Sequence, residues 1–172
     1  EASRGEARFP WLSANTRKTD GTPAFVPYVV REVAGIRIGI LGLVTPGVSN
    51  WESPALIAGL SFGDSVEAAR EYVPILRGQE RCDLVVVLTH QGFETETAGG
   101  SVGASGDTEN QASRIATEVA GVDLVLGGHA HAVISPRRLG AAWISEPGRF
   151  GNTLTRFDVD LEKSAAGWKV TA

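Results

Sequence analysis

Two short apolar runs restrict the fold of this chain more than anything else in it: Asp83 to Thr89, centred on Leu84-Val85-Val86-Val87-Leu88, and Val122 to Leu126. A half-exposed strand alternates apolar and polar residues, whereas runs this uniform suit strands covered on both faces. A helical stripe precedes each one. Asp64 is placed to cap a helix whose stripe is Val66, Ala69, Val73 and Leu76, with Gly78 to end it. Ala112, Ile115, Ala116 and Val119 repeat the stripe within Glu109 to Val119, and Gly121 supplies the stop. Helix and buried strand in alternation predict an α/β fold.

The remainder of the chain adds strands. Phe9 to Asn15 reads as a short strand ending in a polar turn, and Asp20-Gly21-Thr22-Pro23 as a further turn. Phe25–Val33 and Ile36–Val44, joined at Ala34-Gly35, predict a hairpin whose second strand is central. Thr45-Pro46-Gly47 opens an irregular stretch to Gly59, and the tail from Ala141 to Val170 reads as strands parted at Pro147-Gly148 and Ala166-Gly167. Residues 98–107, with four glycines in ten, are expected to be mobile because so little burial offsets the entropy of ordering them. At 172 residues, with no repeat, residues 1–172 form one domain in this reading.

Bulk properties remove several functions. No apolar run approaches the ~20 residues that cross a bilayer, so no membrane partner is expected. A net charge of −4 argues against gripping a nucleic-acid polymer, although a bound metal could still attract a small phosphorylated ligand. The single cysteine, Cys82, has the setting of a buried core thiol. The chain has no methionine, and its start at Glu1 is expected to reflect processing, cleavage or truncation.

Chemistry centres on the three histidines. His90 follows one apolar run; His129 and His131 follow the other, after Gly127-Gly128. Ligands of open α/β sheets collect beyond the carboxyl ends of strands. In extended backbone, residues two apart point the same way, so His129 and His131 can face one site. A lone histidine is more often a core or surface residue than a ligand. A His-x-His pair at one strand end with a histidine at another tips the balance to a metal site, which imidazole suits.

Thr89-His90-Gln91-Gly92 followed by Gly127-Gly128-His129-Ala130-His131 resembles the last two metal motifs of the calcineurin-like metallophosphoesterases. Phe9 to Asn15 with Ile36 to Pro46 resembles the segment after the Asn-His motif of the nucleotidase branch. Thr45-Pro46 through Asn50-Trp51, Glu109-Asn110 and His129 to Val133 look like periplasmic 2′,3′-cyclic-nucleotide phosphodiesterase/3′-nucleotidases, and Gly148 to Asn152 resembles a strand-entry turn of both nucleotidase groups. The likeness runs from Phe9 to Leu161, and Gly-His-Ala-His is its sharpest motif. It implies the latter half of a four-layer αββα sandwich with mixed sheets and a periplasmic or extracellular setting. It also implies two divalent metal ions, with zinc, manganese, iron, calcium and magnesium undistinguished, that hydrolyse nucleotide phosphoesters. By family position His90 and His129 hold one metal and His131 the other.

The departure from that family is as informative. Its Asp-x-His and Asn-His motifs are absent, and Gly63-Asp64 and Gly106-Asp107 lie downstream of the place for a bridging aspartate. The catalytic groups are therefore expected in a missing N-terminal half, a partner of this chain along with the nucleotide substrate. Alone the chain is expected to be inactive; the alternative is a non-catalytic metal-binding or structural fragment. Weaker candidates have plainer readings. Gly39, Gly42 and Gly47 look like packing glycines, Asn15 a turn cap, Trp51 and Phe150 packing rather than base-stacking rings, and Glu94 and Glu96 a solvated loop.

Overall fold

The computed structural model describes residues 5–93, 109–164 and 167–171. The mobile segment expected at 98–107 lies outside the described residues, as do Glu94 and Glu96. The elements in chain order are β1 (Thr16–Lys18), β2 (Tyr28–Val33), β3 (Ile36–Val44), α1 (Val48–Trp51), β4 (Leu60–Phe62), α2 (Ser65–Gly78) and β5 (Leu84–His90). After these come α3 (Ala112–Glu118), β6 (Leu124–Leu126), β7 (Val133–Leu139), β8 (Ala142–Pro147), β9 (Leu161–Ser164) and β10 (Gly167–Val170). Six strands form one mixed sheet in the order β2-β3-β5-β6-β8-β7. β3, β5, β6 and β8 run parallel, and the two edge strands pair antiparallel to their neighbours.

That order accounts for where the helices lie. The crossovers β3-α2-β5 and β5-α3-β6 step in the same direction along the sheet. Crossovers of one hand stepping one way deposit their helices on one face. Leu41, Leu43, Val85, Val87, Val125 and Ile144 point to that face and share a core with Val66, Val73 and Leu76 of α2 and Ile115 and Ala116 of α3. The stripe expected for α2 is fully buried, and Asp64 caps the helix by accepting from the Glu67 amide at 2.9 Å. The opposite face is more open. Leu88 is 42% exposed, and a cavity of about 420 Å³ lies between Leu88, Leu126, Leu154 and Phe157 and reaches His90.

Local chemistry fixes the connections. Ala34 (φ 53°) and Gly35 (φ 77°) make the β2–β3 turn, a left-handed pair that suits the twist of a hairpin. Gly42 is required by contact, since a Cβ there would lie 2.2 Å from Leu12 Cβ and 2.7 Å from its backbone. Gly39 packs against Leu76 and Cys82 in the same way. Phe9 to Asn15 is not a strand. Only Leu12 bridges, to Val26, and pairing begins at β1, against β4. Asn15 is a clamp rather than a turn cap: its amide donates to the carbonyls of Val44 (2.7 Å) and Gly63 (2.9 Å) and accepts from the Val44 amide (3.0 Å). β7 was not expected. Pro136 and a register shift between Ile134 and Arg137 explain its weak signal, both tolerable only on an edge strand.

Candidate functional site

β5 and β6 pair with Val86 opposite Leu124 and Leu88 opposite Leu126, so their carboxyl ends stand side by side. His90 is the last residue of β5, and two residues, Gly127 and Gly128, carry the chain from β6 to His129. The two rings meet edge to face, centroids 5.2 Å apart at 67°. Glycines allow the turns to come this close. A Cβ on Gly92 would lie 2.6 Å from Ala130 Cβ, and one on Gly127 2.6 Å from the Phe93 ring.

The second turn differs from the extended segment read in the sequence. His129 (φ 76°) and His131 (φ 60°) are both left-handed, so strand pleating does not set their directions. Non-glycine residues in this region carry strain of about 1–3 kcal/mol each, and they concentrate at functional sites. His129 is stacked by Trp51 (5.6 Å, 22°), and its Nε2 lies 2.7 Å from Glu109 Oε1. His131 faces Phe150 instead, with ring centroids 5.8 Å apart. The Phe150 ring is 80% exposed and Arg149 lies over it.

Electrostatics favour a neutral His90. Although His90 remains open to solvent, the surrounding protein pushes its titration below the ordinary imidazole range, desolvation first and the charges of His129 and His131 second. Its lone pair is therefore free at neutral pH. Glu146, fully buried beneath the turn, accepts from the Ala132 amide at 3.1 Å. Its Oε2 has no hydrogen-bond partner among the described residues, and burial raises its carboxyl to about 7. A buried polar network backs the site: Gln91 Oε1 accepts from the Gln111 amide, and the Gln111 side chain accepts from the Ser65 amide and donates to Asp64.

Imidazole nitrogens with one carboxylate beside them suit a borderline divalent cation. His90 and His129 are the pair brought together. Among the described residues, no group of three histidine, cysteine or acidic side chains is spaced to close around one ion. Glu109 and Glu146 were not found as site residues by sequence reasoning. Only the Glu109-Asn110 resemblance pointed near one of them, and a glutamate closely following the apolar run Ala142-Trp143-Ile144 is the signal that marks the other.

No family model matches the chain. It is 30% identical over 96% of its length to a 2′,3′-cyclic-nucleotide 2′-phosphodiesterase/3′-nucleotidase of Salmonella typhimurium, of which it covers 28%. It is 34% identical over 72% of its length to a 5′-nucleotidase of Vibrio cholerae, covering 22% of that protein. The chain thus spans about a quarter of these relatives. The solved calcineurin-like phosphoesterase YfkN of Bacillus subtilis superposes with a TM-score of 0.77 at 27% identity, over 95% of this chain and 54% of that one.

Proposed function

The chain belongs to the nucleotidase branch of the calcineurin-like metallophosphoesterases, and from that premise we propose that it forms the later metal-binding part of a domain that hydrolyses nucleotide phosphoesters. The substrates are 2′,3′-cyclic nucleotides and 3′-nucleotides ahead of 5′-nucleotides. The observation that carries this is the meeting of His90 and His129 at the ends of neighbouring parallel strands. His90 and His129 hold one divalent cation in this scheme, and His131 contributes to a second. Cations bound there supply the positive charge that polarises a phosphoryl group and makes water nucleophilic. His90 is suited to its part because it stays neutral, and Trp51 keeps the His129 ring from turning.

Three neutral imidazoles do not offset the repulsion between two dications at short range. A bridging carboxylate and a proton donor for the leaving oxygen are therefore supplied by polypeptide beyond these residues, and the chain alone hydrolyses nucleotides very weakly. The work is done in the periplasm or outside the cell, as the resemblance to periplasmic nucleotidases implies. Among the described residues, no helix is long and apolar enough to cross a membrane.

The test is to assay the chain, and a polypeptide extended upstream along the parent reading frame, on 2′,3′-cyclic AMP, 3′-AMP and 5′-AMP with zinc or manganese. Turnover only by the extended protein, lost in His131→Ala, is the expected result. Robust turnover by the chain alone overturns the division of the site. No turnover by either favours a non-catalytic role.

A further inference from the structure

An imidazole presents one lone pair at a time, and the partner of one nitrogen decides whether the other is free. At His129, Nε2 is held 2.7 Å from Glu109 Oε1 while Trp51 covers a face of the ring and His90 meets it edge to face. The backbone that carries this carboxylate is itself anchored. Thr45 Oγ1 donates to the Glu109 carbonyl at 2.6 Å, joining it to the turn that follows β3. That turn is tight around Gly47, where a Cβ would lie 2.8 Å from the Trp51 ring and 3.1 Å from Glu109 Cγ. Asn110, the next residue, accepts from the Gly92 amide at 2.8 Å and ties the segment to the turn after His90. Glu109 and Trp51 are thus positioned together, from the end of a third parallel strand.

We propose that Glu109 is a positioning residue: its carboxylate takes the Nε2–H of His129, so that Nδ1 carries the lone pair and is the atom offered to a divalent cation. This rests on the metal reading of the site and adds which atom of His129 serves it. A carboxylate on the far nitrogen also raises the basicity of the donating one, and such partners are worth about 10–100-fold in metal affinity. A mere surface ion pair would need a charged ring, with hydrogen on both nitrogens, and would vanish when the ring is neutral.

That difference is measurable. In ¹⁵N-labelled, metal-free protein at pH 8.5, long-range ¹H–¹⁵N correlation spectra should show His129 with hydrogen on Nε2 and a bare Nδ1. Zinc should then shift Nδ1 and leave Nε2 protonated. Glu109→Ala should mix the tautomers and weaken zinc binding about 10-fold or more. Glu109→Gln, whose amide oxygen can still accept, should keep the tautomer and most of the affinity. Hydrogen on Nδ1 in the wild type overturns the proposal, as does a Glu109→Ala protein unchanged in both tautomer and affinity. The wild-type spectrum decides the matter even where Glu109→Ala fails to fold. An Nε2–H tautomer in a wild-type protein that takes up no zinc upholds Glu109's hold on the ring and counts against the metal reading instead.

Discussion

At the level of single residues, the site is built from side chains in unfavourable places. Glu146 is the plainest case: a fully buried carboxyl with one oxygen unpartnered among the described residues, raised by burial from 4.5 to about 7. A carboxyl raised on folding favours the native state only while protonated. Its contribution is neutral below about pH 4.5, becomes a growing penalty as pH rises to about 7, and is constant above that. At about 1.4 kcal/mol for each pH unit, the penalty is on the order of 1–3 kcal/mol. Glu146→Gln should therefore melt higher than the wild type at pH 8 in a chelating buffer, with the gain fading by pH 4.5. Equal melting at pH 8 would show that the carboxyl finds a partner in solution. The three histidines were legible because imidazole after a buried strand is rare and positional. Glu109 was not, because its importance lies in contacts with Thr45 and His129, far away in sequence, which no local pattern records.

Among the elements, those with a strong period were read well and those defined by partners were not. α2 shows its stripe and cap openly, and β3 and β5 are unmistakable apolar runs. Phe9 to Asn15 misled because its apolar residues serve other purposes: Leu12 lies over Gly42, while Phe9 is 69% and Trp11 42% exposed. Arg77 was passed over for a related reason, since a charge on a helix face usually means solvent. Here it donates to the carbonyls of Cys82 (3.1 Å), Asp83 (2.8 Å) and Gly121 (2.9 Å) and pairs with Asp123, whose carboxylate also accepts from the Val85 amide at 2.7 Å. It thereby joins the end of α2 to the starts of β5 and β6. Arg77→Ala leaves Asp123 half-buried without its cation and should cost about 2–4 kcal/mol in chemical denaturation. A loss under about 0.5 kcal/mol, the size of an ordinary surface change, would mean the joint is ornamental.

For the molecule as a whole, the uneven covering of the sheet is the dominant fact. Helices close one face, while Leu88 and the cavity beneath His90 leave the other partly open. The folded chain should therefore enhance the fluorescence of a dye such as anilinonaphthalene sulfonate at neutral pH, and Leu88→Glu should reduce that signal without unfolding the protein. A native protein dark to the dye would mean that this face is sealed. The strand order has a further consequence, for the way the molecule comes into being. From β2 to β6, position in the sheet follows position in the chain. Each strand leaving the ribosome meets an edge already in place, so the sheet grows like a wall laid from one end. Added in that order, β5 seats His90 on the sheet before the Gly-Gly-His-Ala-His turn emerges, and the second half of the site is fitted onto the first.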